Sequence, residues 1–324
     1  FIGSETEKAD SNNDDGVTVN VPGGYQSGDL LIAVVTKDGD DGTITPGQSD
    51  WNRINLGTNS NGCTLGVWWR IAGASETSYS FSWTGQQGVG AILCYRGANQ
   101  LSPIDVSNFS TSDSSSVTAP SVTTTVPYTT ILRVFGGEND STVNSYPVGT
   151  TGRYEILSNT NGGDSVTSAG ADAFQASDGA TGTAVFQLSV SSDWRAGTIA
   201  IRPADGQICL SQVTEVNCMN WQTQHTVTAT IIGDTGETPV TFNVTGANPV
   251  NSGSGGTCTP GACVTDVHGK VSFTYTGTSL GTDTIQASYD GETSNELTKE
   301  WKAAPDPLDR KSTRLNSSHV RQSR

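Results

Sequence analysis

This sequence predicts an all-β chain, and three observations carry the prediction. The first is alternation of period two. From Thr64 to Arg96 the chain sets Leu65, Val67, Trp69 and Ile71, then Tyr79, Phe81 and Trp83, then Val89, Ala91, Leu93 and Tyr95 on one face of successive segments. Successive side chains of a strand point to opposite faces, so each segment offers an apolar face to a core, and the three in succession read as an antiparallel meander. The second is composition: 33% hydrophobic and 15% charged residues with 38 glycines suit extended strands and turns better than helices. The third is punctuation, typified by Lys37 to Ser49 (KDGDDGTITPGQS).

The elements follow in order. Phe1 to Gly16 is polar and reads as a frayed or edge segment, and Val17, Val19 and Val21 form a short alternating strand ended by Pro22, Gly23 and Gly24. Gly28 to Thr36 (GDLLIAVVT) is a near-continuous apolar run, the pattern of a strand covered on both faces. After Arg96 a loop with Pro103 and Asp105 leads into a Ser/Thr tract, Ser110 to Thr118, with the composition of a linker. Strands resume at 117–126, 129–135, 153–157, 171–175, 184–190 and 196–202. About ten strands and no helix predict a two-sheet, jelly-roll-like β-sandwich over residues 1–203. The polar turn at 204–208 reads as a linker. From 209 to 303 about seven strands at short, regular spacing predict an immunoglobulin-like β-sandwich.

The last stretch changes sign. Residues 304–324 are expected to be a disordered tail, and Asp309 to Arg324 carries five basic residues and one acid, so leaving it out deepens the net charge from −15 to −19. The wording DRKSTRLNSSH resembles the in-frame translation of a common sequencing adapter. Residues 309–324 are therefore set aside from fold reasoning as an assembly artefact.

Such acidity argues against binding a phosphate backbone, which needs clustered Lys and Arg, and favours an uncharged or cationic partner. No apolar run approaches the roughly 20 residues that span a bilayer, so no membrane insertion is expected. Six cysteines without a C-x-x-C pair give no zinc pattern. Their closeness in sequence suggests two small clips, Cys209 with Cys218 and Cys258 with Cys263, in an oxidising compartment. Cys63 and Cys94 are read either as bridged or as buried thiols.

Candidate sites are few. Asp14, Asp15, Asp38, Asp40 and Asp41 do not follow a calcium-loop pattern and read as solvated turns, so no metal and no cofactor is expected. Glu76, Asp105, Glu138 and Glu155 are not singled out as a pair of catalytic carboxylates. His225 and His268 lack a positioned nucleophile, and no catalytic residue is assigned. Trp68 differs: if Trp69 faces the core, alternation turns Trp68 outward with Arg70 beside it, a flat ring and a donor suited to a sugar. Trp68 and Arg70 are the expected ligand-binding residues, while Trp51, Trp83, Trp194 and Trp301 read as packing.

Two resemblances add to this. The run Gly28-Asp29-Leu30-Leu31, the Gly42 to Thr45 segment followed by Trp51, Trp69-Arg70-Ile71-Ala72, Tyr95-Arg96-Gly97 and Ile201-Arg202-Pro203 resemble a module of bacterial surface and phage tail-associated proteins. His225 to Thr230, Pro239 to Phe242, Asp266 to Tyr275 and Gly281 to Ile285 resemble a bacterial Ig-like domain of the invasin/intimin type. The resemblances imply a non-catalytic extracellular protein of the bacterial surface or virion, acting in adhesion with a cell-surface glycan or host receptor as partner. The alternative is an accessory carbohydrate-binding region of a larger extracellular polysaccharide hydrolase.

Overall fold

The computed structural model describes residues 1–59, 62–139, 141–158, 164–212 and 224–303, with the backbone of 217–218. The expected tail at 304–324 lies outside them. The chain divides into two compact units, Phe1–Ala204 and Asp205–Arg324. Among the described residues strands are nearly all of the regular structure in both, as the alternation predicts.

The first unit opens with β1 (Gly3–Ala9), β2 (Gly16–Asn20), β3 (Leu30–Asp38), β4 (Thr45–Pro46), β5 (Asn52–Thr58), β6 (Cys63–Ile71), β7 (Ser78–Ser82) and β8 (Gly88–Tyr95). It continues with β9 (Ile104–Ala119), β10 (Thr123–Thr124), β11 (Thr129–Glu138), β12 (Val143–Ser145), β13 (Thr151–Leu157), β14 (Val166–Gln175), β15 (Gly179–Ala180) and β16 (Ala184–Ile201). The apolar run in β3 becomes the centre of a five-stranded sheet of order β1-β8-β3-β6-β5. Residues 30–37 are all buried, as a strand covered on both faces requires.

The expected meander is corrected. β6 and β8 do not pair through β7; both pair antiparallel with β3, and β7 leaves to form a separate three-stranded sheet with β2 and β4. That small sheet covers one face of the five-stranded one, packing Val17, Val19, Tyr79 and Phe81 on Leu31, Ala33, Val35, Trp68 and Ile92. The glycine at position 90 permits the approach, since a Cβ there would stand 2.7 Å from Val19 and 2.9 Å from Val17. On the opposite face, Leu30, Ile32, Val34, Leu65, Val67 and Leu93 meet Leu132, Val134, Ile199 and Ile201 of a third sheet. The unit is therefore a sandwich with an added layer, because the central sheet has two apolar faces and each needs a cover.

The third sheet runs β12-β16-β11-β14-β13, with β9 on β16. The Ser/Thr tract is no linker: it lies in β9 and pairs with β16 along nearly its whole length. A register shift between Gln187 and Ser192 interrupts that ladder. Beyond the shift Val117, Ala119, Phe186 and Leu188 close over Phe135, Ala169, Ala171 and Ala196. The sheet thus covers its own far face, as bulged strands bend.

The second unit contains β17 (Ile208–Gln212), β18 (Asn217–Cys218), β19 (Gln224–Ile231), β20 (Thr241–Gly246), β21 (Val250–Asn251), β22 (Gly256–Thr259), β23 (Lys270–Thr276), β24 (Gly281–Tyr289), β25 (Glu292–Thr293) and β26 (Leu297–Lys302). Two sheets, β17-β19-β23-β22 and β18-β26-β24-β20-β21, enclose one core. Its centre is the stacked pair Phe242 and Phe273, with ring centroids 5.0 Å apart. No helix among the described residues is long and apolar enough to cross a membrane.

Candidate binding surfaces

The expected platform at Trp68 and Arg70 is not a surface. Alternation does turn Trp68 away from Trp69, but the small sheet covers that face, and Trp68 is 3% exposed with its ring 5.7 Å from Phe81. Trp69 is the less buried of the two. Arg70 is spent internally: its guanidinium lies 4.5 Å over the Tyr79 ring and pairs with Asp50 at 3.0 Å and Glu76 at 3.2 Å. Both residues serve to hold one sheet on another.

Most of the acidic candidates are likewise committed locally. Asp14 accepts from the Ser11 N–H and Asp15 from the Gly85 N–H. Asp41 pairs with the buried Lys37 at 2.8 Å and accepts from the Thr43 N–H. Glu76 accepts from the Tyr79 hydroxyl and the Gly73 N–H, Asp105 from Thr125, and Glu155 from the Val143 N–H. Among the described residues no group of three or more His, Cys, Asp or Glu side chains is placed to hold a metal ion. Glu138 stands apart. Burial, then the charges of Asp38, Asp193 and Asp164, raise its carboxyl above the ordinary range.

His225 sits edge-on to Tyr275 and Trp301 with Nε2 2.8 Å from Gln212 Oε1. Burial first, and then the Lys299 charge, push it down to about 4, so the imidazole is neutral at pH 7. His268 is exposed, and its backbone N–H donates to Asp266 in a turn. Cys258 and Cys263 form a disulfide. Cys209 carries a free, partly buried thiol, and the side chain of Cys218, its expected partner, lies outside the described residues. Cys63 and Cys94 are buried free thiols raised by burial to about 12. Such thiols are inert at neutral pH.

The structure assembles a different constellation in the first unit. A cavity of about 350 Å³ is lined by Phe1, Thr130, Thr151, Arg153, Asp172 and Phe174. Asp172 and Phe174 share one face of β14, two residues apart. Arg153 is the extra residue where the register of β13 against β14 shifts between Gly152 and Tyr154. Such a bulge re-aims a side chain, and here Arg153 Nε donates to Asp172 Oδ1 at 2.8 Å with Nη2 2.7 Å from the same oxygen. The other oxygen of Asp172 accepts from the Tyr95 hydroxyl at 3.0 Å. The Phe1 ring lies 4.2 Å from the guanidinium carbon of Arg153. Phe174 is 66% exposed, with the Tyr128 ring 6.1 Å away.

Sequence reading missed this group because its members lie far apart in the chain and only pairing brings them together. The one available signal is Phe174, an aromatic residue in a segment otherwise made of small residues. A wider groove of about 850 Å³ lies in the second unit, bordered by Thr241, Asn243, Asn251, Thr257 and the disulfide. Neither an aromatic nor a charged side chain lines it.

No protein-family model matches this chain, and no curated protein matches it. Among solved structures it is similar to one described as "Biofilm associated protein - BSP domain", 8% identical, over 94% of this chain and 81% of that one, with a TM-score of 0.21. A likeness so slight carries no argument about what this chain does.

Proposed function

We propose that this chain is a non-catalytic surface or virion protein acting in adhesion, and that it recognises a glycan on the opposing surface. The observation that carries the reading is the cavity beside Phe174, where an exposed aromatic ring stands next to a guanidinium held in place by a buried carboxylate. Fixed donors beside an apolar wall are the chemistry of ligand recognition. The carboxylate that grips the guanidinium is buried and is itself held by the Tyr95 hydroxyl, so the donor is in place before a ligand arrives. The Cys258–Cys263 disulfide supports an oxidising, extracellular setting.

Printed glycan arrays probed with the intact chain test the reading. Reproducible retention on a subset of glycans is expected; retention on none removes glycan recognition.

A further inference from the structure

We infer that the cavity formed by Phe174, Arg153 and Asp172 takes a neutral pyranose ring, stacked by its C–H face on Phe174 and hydrogen-bonded through its hydroxyls by Arg153. The inference rests on the glycan reading above and names the ligand class of that site.

Single exposed apolar residues are ordinary, but these are not scattered. Of the eight large hydrophobic side chains exposed among the described residues, Phe1 and Phe174 line this one cavity. Val148, fully exposed, is the immediate neighbour of its wall residue Gly149. Apolar surface gathered at the rim of a polar hollow marks a site that is covered in use. Tyr128 beside the Phe174 ring backs it as a wall.

The polar side is built to the same end. Arg153 has five N–H donors in a fixed fork. Its Nε and Nη2 are engaged on Asp172, and the Phe1 ring covers one face of the guanidinium. Asp172 is itself buried and also held by Tyr95. The guanidinium therefore presents its remaining donors from a position it does not have to find on binding. Thr130 and Thr151 line the same hollow. The volume is at the small end of the roughly 300–1,000 Å³ of ligand pockets, which admits a sugar ring and little more.

Charge selects among sugars. Arg153 and Asp172 cancel, no other charged side chain lines the cavity, and the chain carries −15. A carboxylate- or sulfate-bearing sugar meets a guanidinium already neutralised by Asp172 and the adverse field of an acidic chain. A neutral sugar loses nothing to either.

The test is saturation-transfer NMR and titration on the intact chain. The probes are the methyl glycosides of glucose, galactose and mannose, against glucuronic acid and N-acetylneuraminic acid. At least one neutral glycoside is expected to bind, more tightly than either acid. Phe174→Ala, at an exposed position and so expected to leave the melting temperature unchanged, should weaken it roughly tenfold or more, the equivalent of about 1.4 kcal/mol. Arg153→Lys, which keeps the charge and loses the fork, is expected to do the same. Tighter binding of an acidic sugar, or undiminished binding by Phe174→Ala, overturns the inference while leaving glycan recognition standing. Failure of the parent chain on every array glycan and every probe overturns both. If Arg153→Lys does not fold, Phe174→Ala and the charge comparison decide alone.

Discussion

The indole of Trp68 lies over Gly66, two residues back on the same face of β6; a Cβ at Gly66 would stand 2.0 Å from the ring. That glycine lets the ring lie flat between two sheets. Gly66→Ala is expected to displace Trp68 and cost about 1–3 kcal/mol by overpacking, and Trp68→Ala about 3–5 kcal/mol by leaving a cavity. Chemical denaturation of the two variants checks both values. Unchanged stability in Trp68→Ala would return the residue to the surface.

The same pair shows what was legible in the sequence. Period-two alternation assigns Trp68 and Trp69 to opposite faces, and the continuous run of β3 shows that its sheet is covered twice. Both are local patterns. What covers the second face is not local: β2, β4 and β7 come from three separate segments, and nothing in β7's own alternation distinguishes pairing with β6 from pairing with β2. The Trp68 platform failed on that point, since a residue facing away from one core faced another. The constellation at Arg153 was hidden for a related reason. Its geometry depends on a bulge in β13, and one extra residue in a ladder leaves no period-two trace that a sequence shows.

A second test concerns Asp283, fully buried in the second unit. Its carboxylate accepts from the Trp301 indole N–H at 2.7 Å, the Tyr275 hydroxyl at 3.0 Å and the Asn248 backbone N–H at 2.7 Å. Asp283→Ala strands several buried donors at about 1–3 kcal/mol each, so a loss of at least about 3 kcal/mol is expected. Hydrogen exchange should show lost protection in β23, β24 and β26 and none in the first unit. Asp283→Asn, which keeps an acceptor, should lose less. Equal loss in both variants would mean that shape, not hydrogen bonding, is what the position supplies.

His225 gives the second unit a pH dependence. Its folded value, about 4, lies below the ordinary 6.5, chiefly through burial and then through Lys299, with Asp283 opposing. Between those values the unfolded chain binds the proton and the folded one does not, so stability rises with pH across the window. It is fully present above about 6.5 and lost as pH falls towards 4. The gap is worth up to about 3 kcal/mol. Amide protection in β19 and β23 measured at pH 7 and pH 4.5 should fall accordingly, and His225→Phe should flatten the difference. A parent chain with equal protection at both pH values would contradict the buried neutral imidazole.

Glu138 predicts the opposite sign in the first unit. Its carboxyl is raised by burial first, then by Asp38, Asp193 and Asp164, whose own side chains are tied elsewhere: Asp164 accepts from Asn12 and Asp193 from Asn59. Asp38 is raised as well, and the positive charge of Lys37 beside it is directed to Asp41. A raised carboxyl is a cost of folding at every pH above its folded value, and the cost disappears below the ordinary 4.5, where both states are protonated. Glu138→Gln keeps the shape and removes the charge. It is expected to raise the melting temperature of the first unit at pH 7, with the gain level until pH falls to the folded value, shrinking below it and vanishing near pH 4. Thermal melts of parent and variant at a series of pH values measure this directly. A gain that persists at pH 4 would assign the effect to packing instead of charge. A loss at pH 7 would mean that the carboxylate is stabilised by a partner strong enough to outweigh the three acids around it.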